Sequence, residues 1–295
     1  MTTPALPVYE TLTQSHAELE RRGVLGDGLT AALWLRTQLE DTFYNRPEHH
    51  TLSLYLEGGF EIVRRDRPQC QRGAPGKLCV LPAEHESDWQ VKGPIRFLHL
   101  YFPTEQFDAL AVTLLDREPR EMQLLDRTYM EDPMLAALCR RLAALDWDCL
   151  DGRLTGNALS HEVLAHLMLT NTARRHAVAV KGGLAPWQRR RVRELIEARL
   201  DGELTVGELA AELALSEYHF ARMFRTSFGQ APHGWIMQRR LARAQSLLQT
   251  SALPLVDIAA ASGFASASHL GNRFRAALGV TPGDYRRWHR GSQPS

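Results

Sequence analysis

The sequence predicts an α+β protein, with a β-rich N-terminal part followed by an all-α C-terminal part. Three observations predict this. Between residues 30 and 102, short apolar segments, one of them strictly alternating, are separated by Gly and Pro, as expected for strands. From residue 104 onward, apolar residues recur at helical spacing. A helical segment that starts near residue 216 recurs 50 residues later in the chain.

Length and composition indicate the general class of the protein. The 295 residues suffice for two domains of ordinary size, and 44% apolar with 23% charged residues is typical of a globular protein. The longest apolar run, 163–169, is interrupted by His166 and is too short to span a bilayer. No signal peptide is recognisable, and the four cysteines form no C-x-x-C pair. We therefore expect a cytoplasmic protein with free thiols and no membrane segment.

Charge is distributed unevenly along the chain. From residue 181 onward there are 16 Lys and Arg against 9 Asp and Glu, a net charge of +7. The preceding residues hold 19 basic and 25 acidic side chains, a net charge of −6. A basic C-terminal part favours contact with phosphates, whereas the acidic N-terminal part does not. A chance division of solvated charges is the alternative.

The N-terminal strands are short. Leu52, Leu54 and Leu56 alternate with Thr51, Ser53 and Tyr55, and the pattern ends at a pair of glycines. Further strands are predicted at 60–65, 77–81 and 94–102, separated by Pro and Gly. Several short strands with such turns are typical of a sandwich or a small barrel.

Residues 104–172 are predicted to be helical. Two apolar stripes run along them, formed by Leu135, Leu138, Leu142 and Leu145 and by Leu159, Val163, Leu167 and Met168. Such stripes could pair across a dimer, or they could pack against each other or on the β-rich part. The basic, Gly-containing stretch 173–185 is interpreted as a linker between domains at 1–172 and 186–295.

The C-terminal part contains an internal repeat. SEYHFARMFRTSFGQAP (216–232) matches SASHLGNRFRAALGVTP (266–282) in its Ser, His, Phe, Arg, Gly and Pro positions. In each copy a short helix precedes a second helix that is capped by Ser216 or Ser266. Thr205 and Glu208 form a capping-box pattern in the first copy. One such pattern also fits a plain helical hairpin, but two matched, capped copies in the basic part favour two helix-turn-helix units.

The second helix of each copy has an apolar face and an opposite face. In the first copy Tyr218, Ala221, Arg222 and Arg225 lie opposite Phe220, Met223 and Phe224. In the second copy Ser268, Gly271, Asn272 and Arg275 lie opposite Leu270 and Phe274. A long helix predicted at 232–250, ~28 Å in length, joins the copies. Major grooves recur every ~34 Å, so this spacer suits two recognition helices on one face of somewhat bent DNA.

Residues 186–287 resemble the DNA-binding domain of the AraC/XylS family of bacterial transcriptional regulators. The stretches DIAAASGFASASHLGNRFR (257–275) and GVTPGDYR (279–286) carry the resemblance. The N-terminal part is similar, less specifically, to the family's cupin-type domain through GKLCVLPAEHESDWQ (76–90). The resemblance implies a cupin-like β-barrel with dimerisation helices before the DNA-binding domain. It also implies a homodimeric activator that binds double-stranded DNA, RNA polymerase and a small-molecule effector.

The resemblance further assigns site residues. Base-reading positions fall on Tyr218, Ala221 and Arg222 in the first unit and on Ala267, Ser268, Gly271 and Asn272 in the second, next to the capping Ser216 and Ser266. We expect Arg222 to read a guanine and Asn272 an adenine. Independently of the resemblance, we expect phosphate contacts from Arg225, Arg273 and Arg275; a solvated surface charge is the alternative for each. Ala221, Ala267 and Gly271 lack the polar side chains often found there, so dense base readout by the second unit is not expected.

For the N-terminal domain three interpretations stay open. In the first, an effector pocket forms from His50, His85, Trp89, His99 and Tyr101. In the second, the aromatic residues merely fill the barrel and the domain only dimerises, as in a ligand-independent regulator. The third, a cupin metalloenzyme, needs an H-x-H pattern, whereas His49 and His50 are adjacent and would point to opposite faces of a strand. We therefore expect no metal, no cofactor and no catalytic residues.

Overall fold

The structure is a computed structural model that describes residues 6–67, 71–174 and 182–291. These residues form two compact units. The first comprises the described residues up to 110 together with 122–174, and the second comprises 111–121 together with the described residues from 182. Of the predicted linker 173–185, residues 175–181 lie outside the described residues, and 173–174 belong to a strand.

Among the residues that the structure describes, the first unit contains eleven strands, three whole helices and most of a fourth. The strands are β1 (Glu18–Gly26), β2 (Leu29–Arg36), β3 (Glu40–Asn45), β4 (His49–Gly58), β5 (Ile62–Arg64), β6 (Leu78–Leu81), β7 (Glu86–Val91), β8 (Ile95–Pro103), β9 (Met122–Leu124), β10 (Arg127–Met130) and β11 (Thr172–Arg174). The helices are α1 (Pro7–Gln14), α2 (Thr104–Thr113), whose last residues fall in the second unit, α3 (Pro133–Ala144) and α4 (Leu150–Thr170).

Two antiparallel sheets enclose the core of this unit. One has six strands in the order β1–β2–β8–β4–β6–β10, and the other has three in the order β3–β7–β5. Their inner faces contribute large side chains to one apolar cluster, among them Trp34, Tyr55, Trp89 and Phe97. Strands β9 and β11 form a separate pair. The unit is β-rich as predicted, but the described strands do not close into a single barrel.

Four of these strands coincide with sequence predictions. The apolar segments predicted near 51–56, 60–65, 77–81 and 94–102 form β4, β5, β6 and β8. The sequence does not predict the polar strands β3 (EDTFYN) and β7 (ESDWQV) individually, because every second residue faces solvent and several of those are charged. Strands β9 and β10 lie where helix was predicted; they are only three and four residues long.

The two apolar helical stripes are buried within the chain. Leu142 on α3 and Val163 on α4 are each fully buried, and the two helices pack against each other. Helix α4 also packs on β1, where Gly156 allows Leu25 to approach closely. Of the alternatives left open by the sequence, packing within the chain is therefore the one observed. These stripes are not free to pair with a second copy.

The second unit is helical. Its helices after residue 182 are α5 (Pro186–Ala198), α6 (Val206–Glu212), α7 (Glu217–Phe228), α8 (Pro232–Thr250), α9 (Leu255–Ala261), α10 (Ala267–Leu278) and α11 (Pro282–Gly291). The long helix predicted at 232–250 is present with those bounds. In the described part of the chain, no helix is both long and apolar enough to cross a membrane.

A buried ion pair ties residues 111–121 into the second unit. Glu118 is 1% exposed and accepts hydrogen bonds from Arg120, at 2.9 Å, and from Arg189 of α5. Arg193 of α5 donates to the Val112 carbonyl at 3.0 Å. Because a buried carboxylate needs such partners, these contacts hold the stretch against α5.

Several histidines of the first unit are buried and neutral. Burial lowers the pKa of His49 to about 4, and lowers those of His50 and His99 to about 3. His50 accepts a hydrogen bond at Nδ1 from the Ala83 amide at 2.8 Å and lies between Phe102 and Phe107. All three histidine side chains therefore lie in surroundings that resist their protonation.

Acid should destabilise the first unit. Below the ordinary histidine pKa of 6.5, the unfolded chain binds protons that folded His49, His50 and His99 do not bind. Stability is therefore full above pH 6.5 and is lost as the pH falls towards about 4 for His49 and about 3 for His50 and His99. We expect the free energy of unfolding to drop by up to about 1.4 kcal/mol per pH unit for each histidine. Urea unfolding between about pH 7.5 and pH 4.5 measures this slope.

A His50→Asn variant, whose side-chain oxygen lies near the position of the imidazole Nδ1, supplies the control for this pH dependence. Its amide oxygen can still accept the hydrogen bond from Ala83, but it does not titrate. The slope of stability against pH should fall by about one proton. An unchanged slope would show that His50 does not contribute to it.

Candidate nucleic-acid interface

The first helix-turn-helix consists of α6 and α7. The Thr205 hydroxyl accepts from the Glu208 amide at 3.2 Å, and the Glu208 carboxylate accepts from the Thr205 amide at 2.9 Å, which completes the predicted capping box. These bonds and Arg199 lower the pKa of Glu208 to about 2. Ser216 caps α7 by accepting from the His219 amide at 3.3 Å. Both helices thus begin where the sequence predicts.

The second helix-turn-helix consists of α9 and α10. Ser266 caps α10 by accepting from the His269 amide at 3.1 Å, the counterpart of the Ser216 cap. Both second helices end at a glycine in the left-handed conformation, Gly229 or Gly279. The repeat seen in the sequence is therefore a repeat of local structure.

Aromatic packing anchors α7. Phe224 and Phe228 stack with ring centroids 4.1 Å apart, and Phe228 meets Trp235 of α8 at 4.9 Å. In the second copy Phe274 of α10 meets Tyr285 of α11 at 5.2 Å. Because one face of each second helix is fixed in this way, its opposite face is held at the surface of the unit.

The exposed face of α7 carries the residues predicted to read bases. The Tyr218 side chain is 80% exposed, Arg222 and Arg225 are exposed, and Ala221 is half-buried. Neither arginine forms an ion pair with another described residue. By contrast, Arg189 and Arg193 of the same unit are paired with carboxylates. Unpaired guanidinium groups on an anchored helix are available to an external anion.

The exposed face of α10 carries smaller side chains than the exposed face of α7. Ser268, Asn272, Arg273 and Arg275 are exposed, whereas Ala267 and Gly271 lie half-buried beside them. A Cβ at Gly271 would meet no atom within 4 Å, so nothing inside the unit requires glycine there. The two faces therefore differ in chemistry, with long basic and aromatic side chains on α7 and small ones between polar ends on α10.

Two of the five predicted effector residues line one cavity, and a third contacts one of them. Trp89 and His99 line a cavity between the two sheets of the first unit. Tyr101 is fully buried on the same strand as His99 and hydrogen-bonds to its ring. His85 donates to the Pro82 carbonyl, and His50 is packed against Phe102 and Phe107, so neither belongs to the lining of the cavity.

Among the lining residues that the sequence did not single out, Arg36 and Ser53 are polar. Arg36 ends β2, and its register with Ala32 and Trp34 places it on the inner face of the sheet. Ser53 lies directly opposite His99 in the ladder of β4 and β8. The period-two alternation of residues 32, 34 and 36 is the signal that would have shown Arg36 facing inward. In the described part of the chain, no three His, Cys, Asp or Glu side chains are grouped so as to hold a metal ion.

Comparisons with known proteins agree with the geometry of the second unit. A family model described as a helix-turn-helix domain matches residues 209–287. The transcriptional activator AarP of Providencia stuartii is 34% identical over 91 residues, which are 31% of this chain and 67% of that protein. The chain belongs to the AraC family of transcriptional regulators.

Other similar proteins match over different lengths. A putative AraC-like regulator of Streptomyces antibioticus is 28% identical over 162 residues, 52% of this chain and 53% of that protein. The solved DNA-binding domain of AdpA, in complex with a target DNA, is 34% identical and covers 37% of this chain and 96% of its own, with a TM-score of 0.35. Matches to three further curated regulators span only 30% to 44% of those proteins' length.

The turns of the two helix-turn-helix units differ at one equivalent position. Ala214 has φ = 54°, and Gly263, 49 residues later, has φ = 75°. The left-handed conformation costs a non-glycine residue about 1 kcal/mol. At Gly263 an added Cβ would also lie 1.9 Å from the Leu200 carbonyl oxygen. In this AraC-family domain, the turn of the first helix-turn-helix therefore tolerates a backbone strain that the turn of the second helix-turn-helix cannot.

Exchanging residues at these turns should have opposite effects on stability. Ala214→Gly relieves the positive φ and should raise the free energy of unfolding by about 0.5–1 kcal/mol. Gly263→Ala should lower it by about 1–3 kcal/mol, because the new Cβ overlaps Leu200. Thermal and urea unfolding measure both. Ala211→Gly, within α6, is the control and should be destabilising by about 1 kcal/mol; stabilisation by both glycine variants would contradict the argument.

Proposed function

We propose that this chain is a sequence-specific transcriptional regulator that inserts α7 and α10 into the major groove of double-stranded DNA. One observation carries the proposal: each helix is fixed on its apolar side, while its opposite face is exposed and carries unpaired polar or basic side chains. Membership of the AraC family supports it. A positive charge on this part of the chain adds attraction to phosphates.

Within this proposal α7 is the principal reader. Arg222 lies in the middle of the exposed face, where a guanidinium can bond to a guanine edge, and Tyr218 and Ala221 lie beside it. Arg225 lies one turn nearer the C-terminus of the helix and contacts the phosphate backbone. Arg273 and Arg275 do the same for α10, and Asn272 reads an adenine.

The first unit completes the regulator. It is proposed to be a cupin-like sensor of a small-molecule effector, because a cavity lies between its sheets. Homodimerisation, contact with RNA polymerase, activation of transcription and action in the cytoplasm belong to the same proposal, supported by similarity to AraC-family activators. Since the stripes of α3 and α4 are buried, a dimer would form through other surfaces.

DNA selection from a random pool, with the full-length protein, tests the function. We expect a defined site to be enriched. Arg222→Ala should weaken binding to that site by about 1–3 kcal/mol and relax one base position. Arg225→Ala is the matched control and should weaken binding to all sequences alike, reducing the salt slope by about one. Fluorescence anisotropy with labelled duplexes measures both.

Two outcomes would contradict this proposal. If the folded protein enriches no site and binds the pool only non-specifically, sequence-specific regulation is wrong. If Arg222→Ala weakens all duplexes equally, Arg222 contacts phosphate and the assignment of α7 as base reader fails.

Gly271 offers a test of how α10 approaches DNA. Gly271→Ala should raise the stability of the helix by about 1 kcal/mol, since nothing lies within 4 Å of the new Cβ. If the backbone approaches DNA closely here, the same variant should bind the selected site about 5-fold more weakly. Gly283→Ala, a similarly open glycine in α11, is the control and should leave affinity unchanged. If Gly271→Ala bound the selected site with unchanged affinity, the backbone of α10 would not approach the DNA closely at this point.

A further inference from the structure

A cavity of about 40 Å³ lies between the two sheets of the first unit. An ordered water needs about 10–15 Å³ of such space, so the cavity holds about three waters or a few heavy atoms of a ligand. Strands of both sheets line it, and the lining residues are Arg36, Tyr44, Ser53, Tyr55, Ile62, Cys79, Leu81, Trp89, Val91, Ile95, Phe97 and His99. Most are aromatic or aliphatic, so the polar groups among them decide what can bind.

The sandwich formed by the two sheets of the first unit contains two buried arginines, Arg36 and Arg64. Arg36 has one hydrogen-bond acceptor fewer than its guanidinium nitrogens require. Arg64, 1% exposed, uses all three guanidinium nitrogens on Asp66 and Asp126. Arg36, 3% exposed, donates to Thr42 at 2.7 Å and to Glu40 at 2.5 Å, but its Nε is buried without a partner. A buried donor without an acceptor is costly, and around Arg64 two carboxylates bind the buried guanidinium, with Arg67 as a second cation.

His99 supplies a second donor. The Trp34 indole donates to the Tyr101 hydroxyl at 3.1 Å, so that hydroxyl donates in turn to Nδ1 of His99, at 3.0 Å. With Nδ1 accepting, the hydrogen of the neutral ring is on Nε2. Ser53 lies opposite His99 in the ladder and offers a hydroxyl. The polar groups of the cavity are thus mainly donors, which suit the oxygens of an anion.

The lining of the cavity carries one formal positive charge, with which Glu40 pairs from the edge of the sheet. Among its lining residues Arg36 carries the formal positive charge, and burial keeps the pKa of His99 at about 3 and raises that of the Cys79 thiol to about 12. Glu40 takes one edge of the guanidinium from the rim of the sandwich, where it also accepts from the His16 amide. Nε of Arg36 has no acceptor among the described residues.

We propose that this cavity binds a short-chain monocarboxylate of about two to four carbon atoms, held by Arg36 and His99 through its carboxylate and by the aromatic walls through its apolar end. Tyr55, Trp89 and Phe97 form those walls. As the identity of an effector, the proposal rests on the proposed regulatory function. As a binding site, it is open to a separate measurement.

The test uses the full-length protein and propionate, with propionamide as the neutral isostere and benzoate as the oversized acid. Isothermal titration calorimetry and thermal unfolding are measured at constant ionic strength. With five heavy atoms, propionate can bind no more tightly than a Kd of about 1–10 μM. At about 100 times its Kd it should raise the unfolding temperature by about 5 °C. Propionamide and benzoate should bind at least about 10-fold more weakly.

Three variants locate the site. Arg36→Gln should weaken propionate binding by about 10–100-fold. Ser53→Val keeps a strand-forming residue and fills part of the cavity, so it should abolish binding even if Arg36→Gln fails to fold. Arg96→Gln is the matched control: Arg96 is on β8 next to Phe97, but it pairs with Glu20 outside the cavity, and it should bind propionate normally.

Each result bears on the proposal separately from DNA binding. Equal binding of propionate and propionamide overturns the carboxylate assignment, and equal loss in Arg96→Gln and Ser53→Val overturns the site. Absence of binding by any short acid overturns the ligand class, while a selected DNA site in the same preparation keeps the regulatory function. Propionate binding by a protein that selects no DNA site supports the pocket and removes its role in transcription.

Discussion

The aromatic contact between α7 and α8 is the constraint on which the second unit depends. Phe228 lies between Phe224 and Trp235, so the helix that carries Arg222 has a fixed rotation about its axis. A helix free to rotate would spread its polar face over many directions. Packing on one side therefore converts a sequence periodicity into a surface with a defined orientation, and the second copy does the same through Phe274 and Tyr285 with fewer rings.

The two units of the chain use burial for different purposes. In the helical unit the interior is mostly apolar apart from the ion pair of Glu118, and the residues proposed to bind DNA lie at the surface. In the sandwich the interior contains Arg36, Arg64 and several neutral histidines, and some of their nitrogens, Nε of Arg36 among them, have no hydrogen-bond partner among the described residues. Buried polar groups of this kind add little stability, but they define which molecules a cavity accepts.

Much of the helical unit was predictable because its signals are local. The Ser216 and Ser266 caps and the repeated apolar positions depend on neighbouring residues, and helix α8 was found with its observed bounds. The sandwich was less predictable, because pairing of β3 with β7 joins polar segments more than 40 residues apart. The separation of His50 from the cavity follows from sheet register, which the sequence alone does not determine, whereas the alternation of residues 32, 34 and 36 does indicate the inward direction of Arg36.

The carboxylate of Glu118 has a consequence for how the chain can be divided. It and Val112 precede the long helices of the sandwich in the chain, yet they hold Arg189 and Arg193 of the helical unit. A fragment cut just before α5 would keep every helix of the DNA-binding part and lose the counterions of that helix. Its isolated arginines would be free to attract phosphates without base selectivity, so such a fragment is a misleading substitute for the intact regulator.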